Sequence, residues 1–182
     1  MPQEIEAKFK VDDAAGLRRR LSGAGAVCLG TVTLRDDYLD TADERLKHAR
    51  SGLRVRVGRT ASLTYKGPRQ EDARFKTREE LEVTVDDPQA LLHLLTRIGF
   101  HVIFSYQKRR ETWRLGACEV SLDELPQLGW FVEVEAPDEQ AVAAALERLG
   151  LASRRQILDS YLHLIHEHVE RTDPGATTLY FQ

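Results

Sequence analysis

The sequence has 182 residues, of which 42% are hydrophobic and 30% are charged. These proportions are typical of one globular domain and exclude a disordered or fibrous chain. A domain of this size buries about 70% of the surface that its unfolded chain exposes, so it needs no disulfide or structural metal. The net charge of −3 argues against general binding to nucleic acid or to an anionic membrane, because both require an excess of basic residues.

The lack of a recognisable targeting signal and the use of cysteine both favour the cytoplasm. No run approaches the roughly 18 apolar residues of a membrane span, and the N-terminus lacks the layout of a signal peptide, so we expect a cytoplasmic protein. Cys28 and Cys118 are far apart, which indicates reduced, packed thiols. Residues 178–182 resemble the end of a protease-cleavable expression tag, so we expect a domain at 1–172 and a disordered tail at 173–182.

The first predicted unit is a strand followed by a capped helix and a glycine. Residues 4–11 alternate charged and apolar side chains, which is typical of a strand with one buried face. Asp12 or Asp13 can then cap a helix that ends near Gly23 or Gly25. The same order of strand, capped helix and glycine recurs twice along the chain.

The second and third units have clear boundary signals. A strand at 80–85 is followed by Asp87 as N-cap, by Pro88 at the first helical position and by a helix that ends at a glycine. A strand at 131–136 is followed by Asp138 and by a second helix of this kind. These units therefore predict three strands and three helices.

Further segments alternate with a period of two residues, and a last helix closes the chain. The additional predicted strands are 31–39, 53–57, 62–66, 102–115 and 117–122. The polar stretch 70–76 predicts an exposed loop, and the apolar spacing over 158–165 predicts an amphipathic helix. Eight strands without a regular strand-helix alternation indicate an α+β fold on a largely antiparallel sheet.

Charges of one sign recur two residues apart on several predicted strands. Because side chains alternate between the faces of a strand, each of these pairs shares a face: Glu4 and Glu6, Arg54 and Arg56, Glu80 and Glu82, Lys108 and Arg110, Glu133 and Glu135. Such a face can be the solvent-exposed side of an antiparallel sheet. Alternatively, the strands curl into a barrel whose inner face binds divalent cations through carboxylates and a polyphosphate through Lys and Arg. The second arrangement suits phosphoryl or nucleotidyl transfer.

The order of these motifs resembles the CYTH superfamily of triphosphate tunnel metalloenzymes, which includes class IV adenylate cyclases and thiamine triphosphatases. The resemblance covers nearly the whole chain and rests on Glu4-x-Glu6-x-Lys8, Tyr38-Leu-Asp40-Thr41, Leu53-Arg54-x-Arg56, Lys66-Gly-Pro, Arg78-x-Glu80-x-Glu82, Lys108-x-Arg110, Asp123, Glu133-x-Glu135 and Ser160-Tyr161. It implies a single CYTH domain with a closed eight-stranded, largely antiparallel β-barrel, the triphosphate tunnel, and with helices packed outside.

The resemblance also implies roles for individual residues. Metal ions, two Mg²⁺ or Mn²⁺, would be held by Glu4, Glu6, Asp123, Glu133 and Glu135. The triphosphate would be bound by Lys8, Arg54, Arg56, Lys66, Arg78, Lys108 and Arg110. The candidate catalytic residues are Lys8, Glu4 and Glu6, and further site candidates are Glu80, Glu82 and Tyr161.

Two reactions fit this implied site. One converts ATP to cyclic AMP and pyrophosphate, and the other hydrolyses inorganic triphosphate, thiamine triphosphate or a nucleoside triphosphate. The segments 63–68 and 76–80 are more similar to the class IV cyclase branch, so we prefer the cyclase. A non-catalytic nucleotide or polyphosphate sensor is a third hypothesis.

The expected partner is a small-molecule triphosphate, without nucleic acid or membrane, and a homodimer stays open. Relatives often carry a basic residue where this chain has Asp159, so closure of the last helix over the substrate also stays open.

Overall fold

A computed structural model describes residues 3–68 and 75–182, with positions 3, 4, 76 and 77 described by their backbone alone. Most of the loop predicted at 70–76 lies outside the described residues. The strands of the described chain are β1 (Gln3–Val11), β2 (Val27–Thr41), β3 (Gly52–Val57), β4 (Ala61–Lys66), β5 (Lys76–Val85), β6 (Phe100–Leu115), β7 (Cys118–Leu125), β8 (Gly129–Ala136) and β9 (Thr178–Leu179). All eight predicted strands are therefore present, and β9 is an addition.

Capping contacts confirm the starts of the three helices predicted after strands, whereas the helix predicted over 158–165 is observed at Tyr161–Thr172. The helices of the described chain are α1 (Ala14–Gly23), α2 (Arg45–His48), α3 (Pro88–Arg97), α4 (Glu139–Arg148) and α5 (Tyr161–Thr172). Asp13 accepts a hydrogen bond from the Gly16 amide at 2.7 Å, and Asp87 and Asp138 cap α3 and α4 in the same way. None of the helices that the structure describes combines the length and the apolar character needed to cross a bilayer.

The short helix α2 is absent from the sequence prediction, and its stabilisation explains why. The Asp40 carboxylate, at the end of β2, accepts hydrogen bonds from the Leu46 amide at 2.9 Å and from the Lys47 amide at 3.0 Å. This cap acts across six and seven residues, whereas a sequence-level cap signal lies within three. The Tyr38-Leu-Asp40-Thr41 motif therefore shapes the β2–α2 turn.

The sheet is mostly antiparallel, as predicted for an α+β fold. Its strand order is β2-β3-β4-β5-β1-β8-β7-β6-β9, and β2 also pairs with β6 from Val27 opposite Arg114 to Thr41 opposite Phe100. Each strand from β1 to β8 consequently has two antiparallel neighbours. This long β2–β6 pairing also accounts for the early start of β2, at Val27 instead of residue 31.

One face of the sheet is apolar and carries helices. Ala7, Phe9 and Val11 of β1 are buried in a core cluster with Leu17 of α1 and Leu146 of α4. A smaller cluster joins α3 to β2 and β3. Because neighbouring residues on a strand point to opposite faces, the charged residues Glu6 and Lys8 lie on the other face.

A third apolar cluster covers one end of the sheet, which we call the α5 end. Tyr161, Ile165 and Val169 of α5 pack there against Tyr106 of β6 and Phe131 of β8. The opposite end, which we call the turn end, contains the β3–β4 and β6–β7 turns. The two ends therefore differ in whether a helix and its apolar side chains lie over them.

The segment 173–182 differs from the expected disordered tail. β9 pairs in parallel with Ser105 and Tyr106 of β6, Leu179 is 5% exposed, and the Tyr180 hydroxyl donates to Ser105 Oγ at 2.7 Å. The physical reason lies in β6, which is longer than β7. β7 pairs only with residues 109–115 of β6. The first half of β6 therefore has a backbone edge on the β7 side that β7 leaves open, and β9 pairs there.

Candidate active site

Side chains from all eight long strands line one cavity of about 220 Å³. The predicted site residues among them are Glu6, Lys8, Arg54, Arg56, Lys66, Arg78, Glu80, Glu82, Lys108, Arg110, Glu133, Glu135 and Tyr161. Lys8, Arg54 and Lys108 are only 1%, 6% and 1% exposed. These charges therefore do not form the solvent-exposed face that the sequence left as an alternative.

The register of the sheet explains how distant motifs meet. Glu6 lies opposite Glu135, and Lys8 lies opposite Glu133, where β1 pairs with β8. Arg110 lies opposite Asp123 where β6 pairs with β7. Directly opposite residues on antiparallel strands share a face. The alternating charges of separate strands are thereby gathered on a single surface.

Two arginines of β3 are held by a buried carboxylate of β2. Arg56 donates to Asp36 from Nε and from Nη2, both at 2.7 Å, and Arg54 Nη1 lies 3.8 Å from the same carboxylate. Burial opposes the charge of Asp36, but Arg56 and Arg54 hold the pKa of this fully buried carboxyl well below its usual range. Arg54 Nε is buried without a hydrogen-bond partner among the described atoms, so it is a donor that a bound anion can satisfy.

Lys108 and Arg110 of β6 share the Asp123 carboxylate. Arg110 donates to both Asp123 oxygens at 2.7 and 2.6 Å and to Glu133 Oε2 at 2.6 Å, and Lys108 Nζ donates to Asp123 at 3.1 Å. Burial, and then the charge of Arg110, lower the pKa of Lys108 to about 7. This part of the wall therefore presents cations that are only partly neutralised.

Residues of β4 and β5 complete the basic side. Lys66 and Arg78 both pair with Glu80, with Arg78 Nε 3.1 Å from its carboxylate. Burial, and then the charges of Arg54 and Arg78, lower the pKa of Lys66 to about 8. Burial is the largest cause of the lowered lysine pKa values, and the neighbouring arginines lower them further, an effect that a bound polyanion would oppose.

Carboxylates gather on the opposite side, on β1, β7 and β8. Glu6, Glu133 and Glu135 line the cavity together with Glu119, which lies opposite Glu135 in the sheet. Burial, followed by the charges of Glu119, Glu6 and Glu133, raises the pKa of Glu135 to about 7. A group of carboxylates that repel one another in this way is chemically suited to a hard cation with oxygen ligands.

Lys8 connects this acidic side to the C-terminal helix. Its Nζ lies 3.3 Å from Glu133 and 3.8 Å from Glu6, and it donates to the Asp159 carbonyl at 2.9 Å. The Lys8 ammonium also lies 4.2 Å from the centre of the Tyr161 ring, and the Lys108 ammonium lies 4.8 Å from it. The backbone of Asp159, rather than a basic side chain at that position, therefore connects α5 to the cavity.

One predicted metal ligand, Asp123, lies apart from the cavity wall, and another, Glu4, is described by its backbone alone. Asp123 is fully buried behind the wall, paired with Arg110 and Lys108, and is not among the described lining residues. Glu4 lies on β1 opposite Arg78, but its side chain falls outside the described part of the structure. Among the described residues, no three His, Cys, Asp or Glu side chains form a ready-made metal site. The carboxylate oxygens of Glu6, Glu119, Glu133 and Glu135 are donors that suit a divalent cation.

The sequence analysis missed three residues of the site. Asp36 lies two residues before Tyr38, Glu119 lies four residues before Asp123, and Tyr106 stacks on Tyr38 with ring centres 6.0 Å apart. Glu119 lies two residues before Ser121 on β7, opposite Glu135, so it shares a face with Ser121. This alternation along the strand could have identified Glu119 from the sequence. Asp36 precedes Asp37, and only the pairing of β2 with β3 shows which of the two faces the arginines.

The described lining therefore holds two opposed sets of charge. Seven cations, all of them predicted phosphate ligands, share the cavity with six glutamates. Glu80 and Glu82 pair with cations on the basic side, and the other four form the acidic side: Glu6, Glu119, Glu133 and Glu135. A polyanion satisfies the first set, and divalent cations that bridge to it satisfy the second. This arrangement can position a phosphorylated substrate and stabilise the charge that develops during phosphoryl or nucleotidyl transfer.

Two known proteins are similar to this chain in sequence. A candidate adenylate cyclase of Methanocaldococcus jannaschii is 31% identical over 133 residues, covering 72% of this chain and 75% of that protein. Adenylate cyclase CyaB of Aeromonas hydrophila is 25% identical over 90% of this chain and 89% of its own length.

A solved structure shares the fold. It is an adenylyl cyclase candidate from Hippeastrum described as having a dominant triphosphatase activity, with a TM-score of 0.71 at 20% identity, covering 92% of this chain and 96% of that one. The CYTH domain family model matches residues 2–161, which include nearly every residue of the cavity described above. The chain belongs to the CYTH domain family.

Proposed function

We propose that this protein is a divalent-metal-dependent enzyme that acts on a triphosphate-bearing substrate, with ATP as the preferred one. The observation that carries this proposal is the cavity, in which seven buried or half-buried cations face a group of glutamates. A binding protein without catalytic activity needs the cations but does not require so many candidate metal ligands. Their presence favours an enzyme over the sensor.

We further propose that the eight long strands enclose a tunnel. Support comes from the pairing of β2 with both β3 and β6, which joins the two ends of the strand order. A tunnel keeps water away from the charges, so each interaction with phosphate is stronger than on an open surface.

In this proposal the basic residues bind the phosphate chain. Arg54, Arg56 and Arg110 provide planar guanidinium groups, which pair with phosphate oxygens through two hydrogen bonds. Asp36 and Asp123 already fix the orientation of Arg56 and Arg110. The lysines Lys8, Lys66 and Lys108 add charge around them. The phosphate chain therefore meets donors that need little reorganisation.

The acidic residues would hold Mg²⁺ or Mn²⁺. Glu6, Glu133 and Glu135 provide oxygen donors from β1 and β8, Glu119 adds one from β7, and Glu4 is the residue two positions before Glu6 on β1. When bound, such ions supply charge neutralisation and lower the pKa of the attacking hydroxyl or water. Asp123 then acts through Arg110 and Lys108, in contrast to the direct role that the family resemblance implies.

The preferred reaction forms cyclic AMP. The ribose 3′ oxygen attacks the α-phosphorus, the bond from that phosphorus to the α,β-bridging oxygen breaks, pyrophosphate leaves, and the hydroxyl proton is released to solvent. The cations named above stabilise the negative charge on the departing pyrophosphate. Support for this choice comes from the named relatives of M. jannaschii and A. hydrophila.

Hydrolysis of a triphosphate is the second candidate. The same cavity binds the phosphate chain, and a water molecule attacks the terminal phosphorus. The bond from that phosphorus to its bridging oxygen breaks, orthophosphate is released from the shortened phosphate chain, and a proton is released to solvent. The Hippeastrum protein is described with a dominant triphosphatase activity, so the shared fold accommodates hydrolysis. The two reactions differ in their nucleophile and in the register of the phosphate chain, because the cyclase attacks the α-phosphorus and the hydrolase the terminal one.

Product analysis tests the proposal. The protein is incubated with ATP, inorganic triphosphate or thiamine triphosphate in Mg²⁺ or Mn²⁺, and products are identified by mass spectrometry. Cyclic AMP with pyrophosphate supports the cyclase, orthophosphate without a cyclic product supports the hydrolase, and absence of turnover with every substrate contradicts both.

A matched pair of variants ties the activity to the cavity. Arg110→Ala removes a cation from the inner face, whereas Arg109→Ala removes its neighbour, which pairs with Glu124 on the outer face. We expect turnover to fall at least about 100-fold in the first variant, as for removal of one group that stabilises developing charge. The second should retain it. If Arg110→Ala does not fold, Arg54→Ala repeats the test, because this substitution leaves the ion pairs of Asp123 intact.

A further inference from the structure

A second cavity of about 390 Å³ lies next to the first, at the turn end of the sheet. Arg56 and Glu82 line both cavities, so the two spaces share a wall. Ser62, Thr84 and Thr112 belong to the second cavity alone. The motifs identified from the sequence assign no role to these three residues.

Strand register places both cavities on the same face of the sheet. Arg56 lies opposite Ser62 where β3 pairs with β4, and Ser62 lies opposite Thr84 where β4 pairs with β5. Thr112 is two residues beyond Arg110 on β6. Because residues two apart share a face, the inner face continues from charged residues in the first cavity to hydroxyls in the second.

The chemistry of the second cavity suits an uncharged, hydroxyl-bearing group. Its hydroxyls lie beside the apolar side chains of Val32 and Leu34. Its charged lining residues in the described chain are Arg56, Arg59 and Glu82, so the balance is positive and a cationic ligand is disfavoured. No aromatic side chain is part of the described lining, so recognition by ring stacking is absent there.

The other end of the sheet leaves less space for such a group. Tyr106 and Tyr161, which line the first cavity, are also part of the apolar cluster beneath α5. Tyr106 is 1% exposed and Tyr161 is 5% exposed. An organic group attached to a phosphate chain in the first cavity therefore finds open space at the turn end, past Arg56.

We propose that the second cavity binds the nucleoside part of a nucleoside triphosphate whose phosphates occupy the first cavity. This inference rests on the proposed function, because it needs a triphosphate among the cations. Ser62, Thr84 and Thr112 hydrogen-bond the sugar or the base edge, while Val32 and Leu34 contact its apolar surface. Without a stacking partner, the site discriminates weakly between bases. It disfavours thiamine triphosphate, whose organic group carries a positive charge.

Matched threonine variants test this assignment. Thr112→Val removes a hydroxyl from the second cavity, and Thr33→Val makes the same change at an exposed residue opposite Arg109, on the outer face of β2. Ser62→Leu fills the cavity and provides a second, independent change. Dissociation constants for ATP, GTP, inorganic triphosphate and thiamine triphosphate are measured by calorimetry for each full-length protein.

The expected result separates the organic group from the phosphates. Thr112→Val should weaken ATP binding about tenfold, the effect of one lost hydrogen bond. Ser62→Leu, which also fills the cavity, should weaken ATP binding at least as much, and both variants should bind inorganic triphosphate as the wild type does. Thr33→Val should change neither affinity. ATP and GTP should bind alike, and thiamine triphosphate more weakly than ATP.

Three outcomes overturn the assignment. One is an equal loss for ATP and inorganic triphosphate, which would place Ser62 and Thr112 in the phosphate site. Another is unchanged ATP binding in both cavity variants, and a third is tighter binding of thiamine triphosphate than of ATP. Failure of the unmodified protein to bind inorganic triphosphate is distinct from all three, because it contradicts the proposed function itself and the subsite with it.

Discussion

Asp36 and Arg56 form a bidentate ion pair in which both hydrogen bonds measure 2.7 Å and the carboxylate is fully buried. The same carboxylate lies 3.8 Å from Arg54. Burial of a carboxylate is unfavourable unless cations satisfy it, and here two residues of the proposed phosphate site do so. Asp36 is therefore a positioning residue, which fixes two guanidinium groups before any substrate arrives.

Neutralising Asp36 should weaken triphosphate binding. In Asp36→Asn, Arg54 and Arg56 lose the charge that orients them, so we expect the dissociation constant for inorganic triphosphate to rise by about tenfold, or 1.4 kcal/mol. Calorimetric titration measures this directly. A buried cation without its partner should also lower the free energy of unfolding by about 3–5 kcal/mol.

The neighbouring Asp37 provides the control. It is 4% exposed, so its burial matches that of Asp36, but it pairs with Arg35 and accepts a hydrogen bond from Ser105 on the opposite face of β2. Asp37→Asn should lower stability while leaving triphosphate affinity unchanged in the folded protein. Equal loss of affinity in the two variants would refute the positioning role of Asp36.

The Asp36 pair should also contribute to acid sensitivity. Arg56 and Arg54 depress the pKa of Asp36 in the folded state, whereas an unfolded Asp has a pKa of about 3.9. A depressed carboxyl pKa gives stability that is fully present above the unfolded value and is lost as the pH falls toward the folded value. Urea unfolding at pH 7, 5 and 3 should show the difference between wild type and Asp36→Asn shrinking below about pH 4. A constant difference across this range would count against the ion pair.

Local sequence patterns were sufficient to predict the strands and most helix starts. Alternation and caps act within a few residues, so the sequence predicted Asp87 and Asp138 as caps and limited the first cap to Asp12 or Asp13, of which the structure shows Asp13. Alternation also showed which charges share a face within one strand. It did not show whether that face is buried, because this depends on pairing between strands far apart in sequence.

The features that the sequence analysis missed depend on such distant contacts. Asp36 differs from Asp37 only through its pairing with Arg56, and α2 forms because Asp40 caps it from outside the helix. Asp123, a predicted metal ligand, is fully buried and paired with Arg110, and the sequence did not reveal this ion pair. In each case two strands or segments must meet before the chemistry of the residue is defined.

Removal of one inner carboxylate should weaken metal binding. Glu119→Gln and Glu135→Gln each take a negative oxygen from the acidic side of the cavity, so we expect Mn²⁺ affinity to fall by about 10–100-fold, the range seen when a metal site loses a supporting group. Metal titration followed by calorimetry or by the Mn²⁺ resonance signal provides the measurement.

Glu124 is the matched control on β7. It pairs with Arg109 away from the cavity, so Glu124→Gln should bind Mn²⁺ as the wild type does. If Glu119→Gln behaved like Glu124→Gln while Glu135→Gln lost affinity, the proposed metal site would exclude β7. Unchanged affinity in both inner variants would contradict the metal site as a whole.

Triphosphate affinity should fall as the pH rises through the lowered pKa of Lys66. Burial, and then the charges of Arg54 and Arg78, bring this pKa to about 8, so the side chain is charged below that pH and neutral above it. A polyanion binds the charged form better, so affinity is greatest below pH 8 and declines above it by at most about tenfold per pH unit for one proton.

Lys66→Arg keeps its charge over this range. We therefore expect a smaller decline between pH 7 and 10 in Lys66→Arg than in the wild type, measured by calorimetry with inorganic triphosphate. Ionisation of the ligand affects both proteins equally and cancels in their ratio. Lys47→Arg, at an exposed lysine of α2, should follow the wild-type profile, and parallel profiles for all three proteins would show that Lys66 does not contact the phosphates.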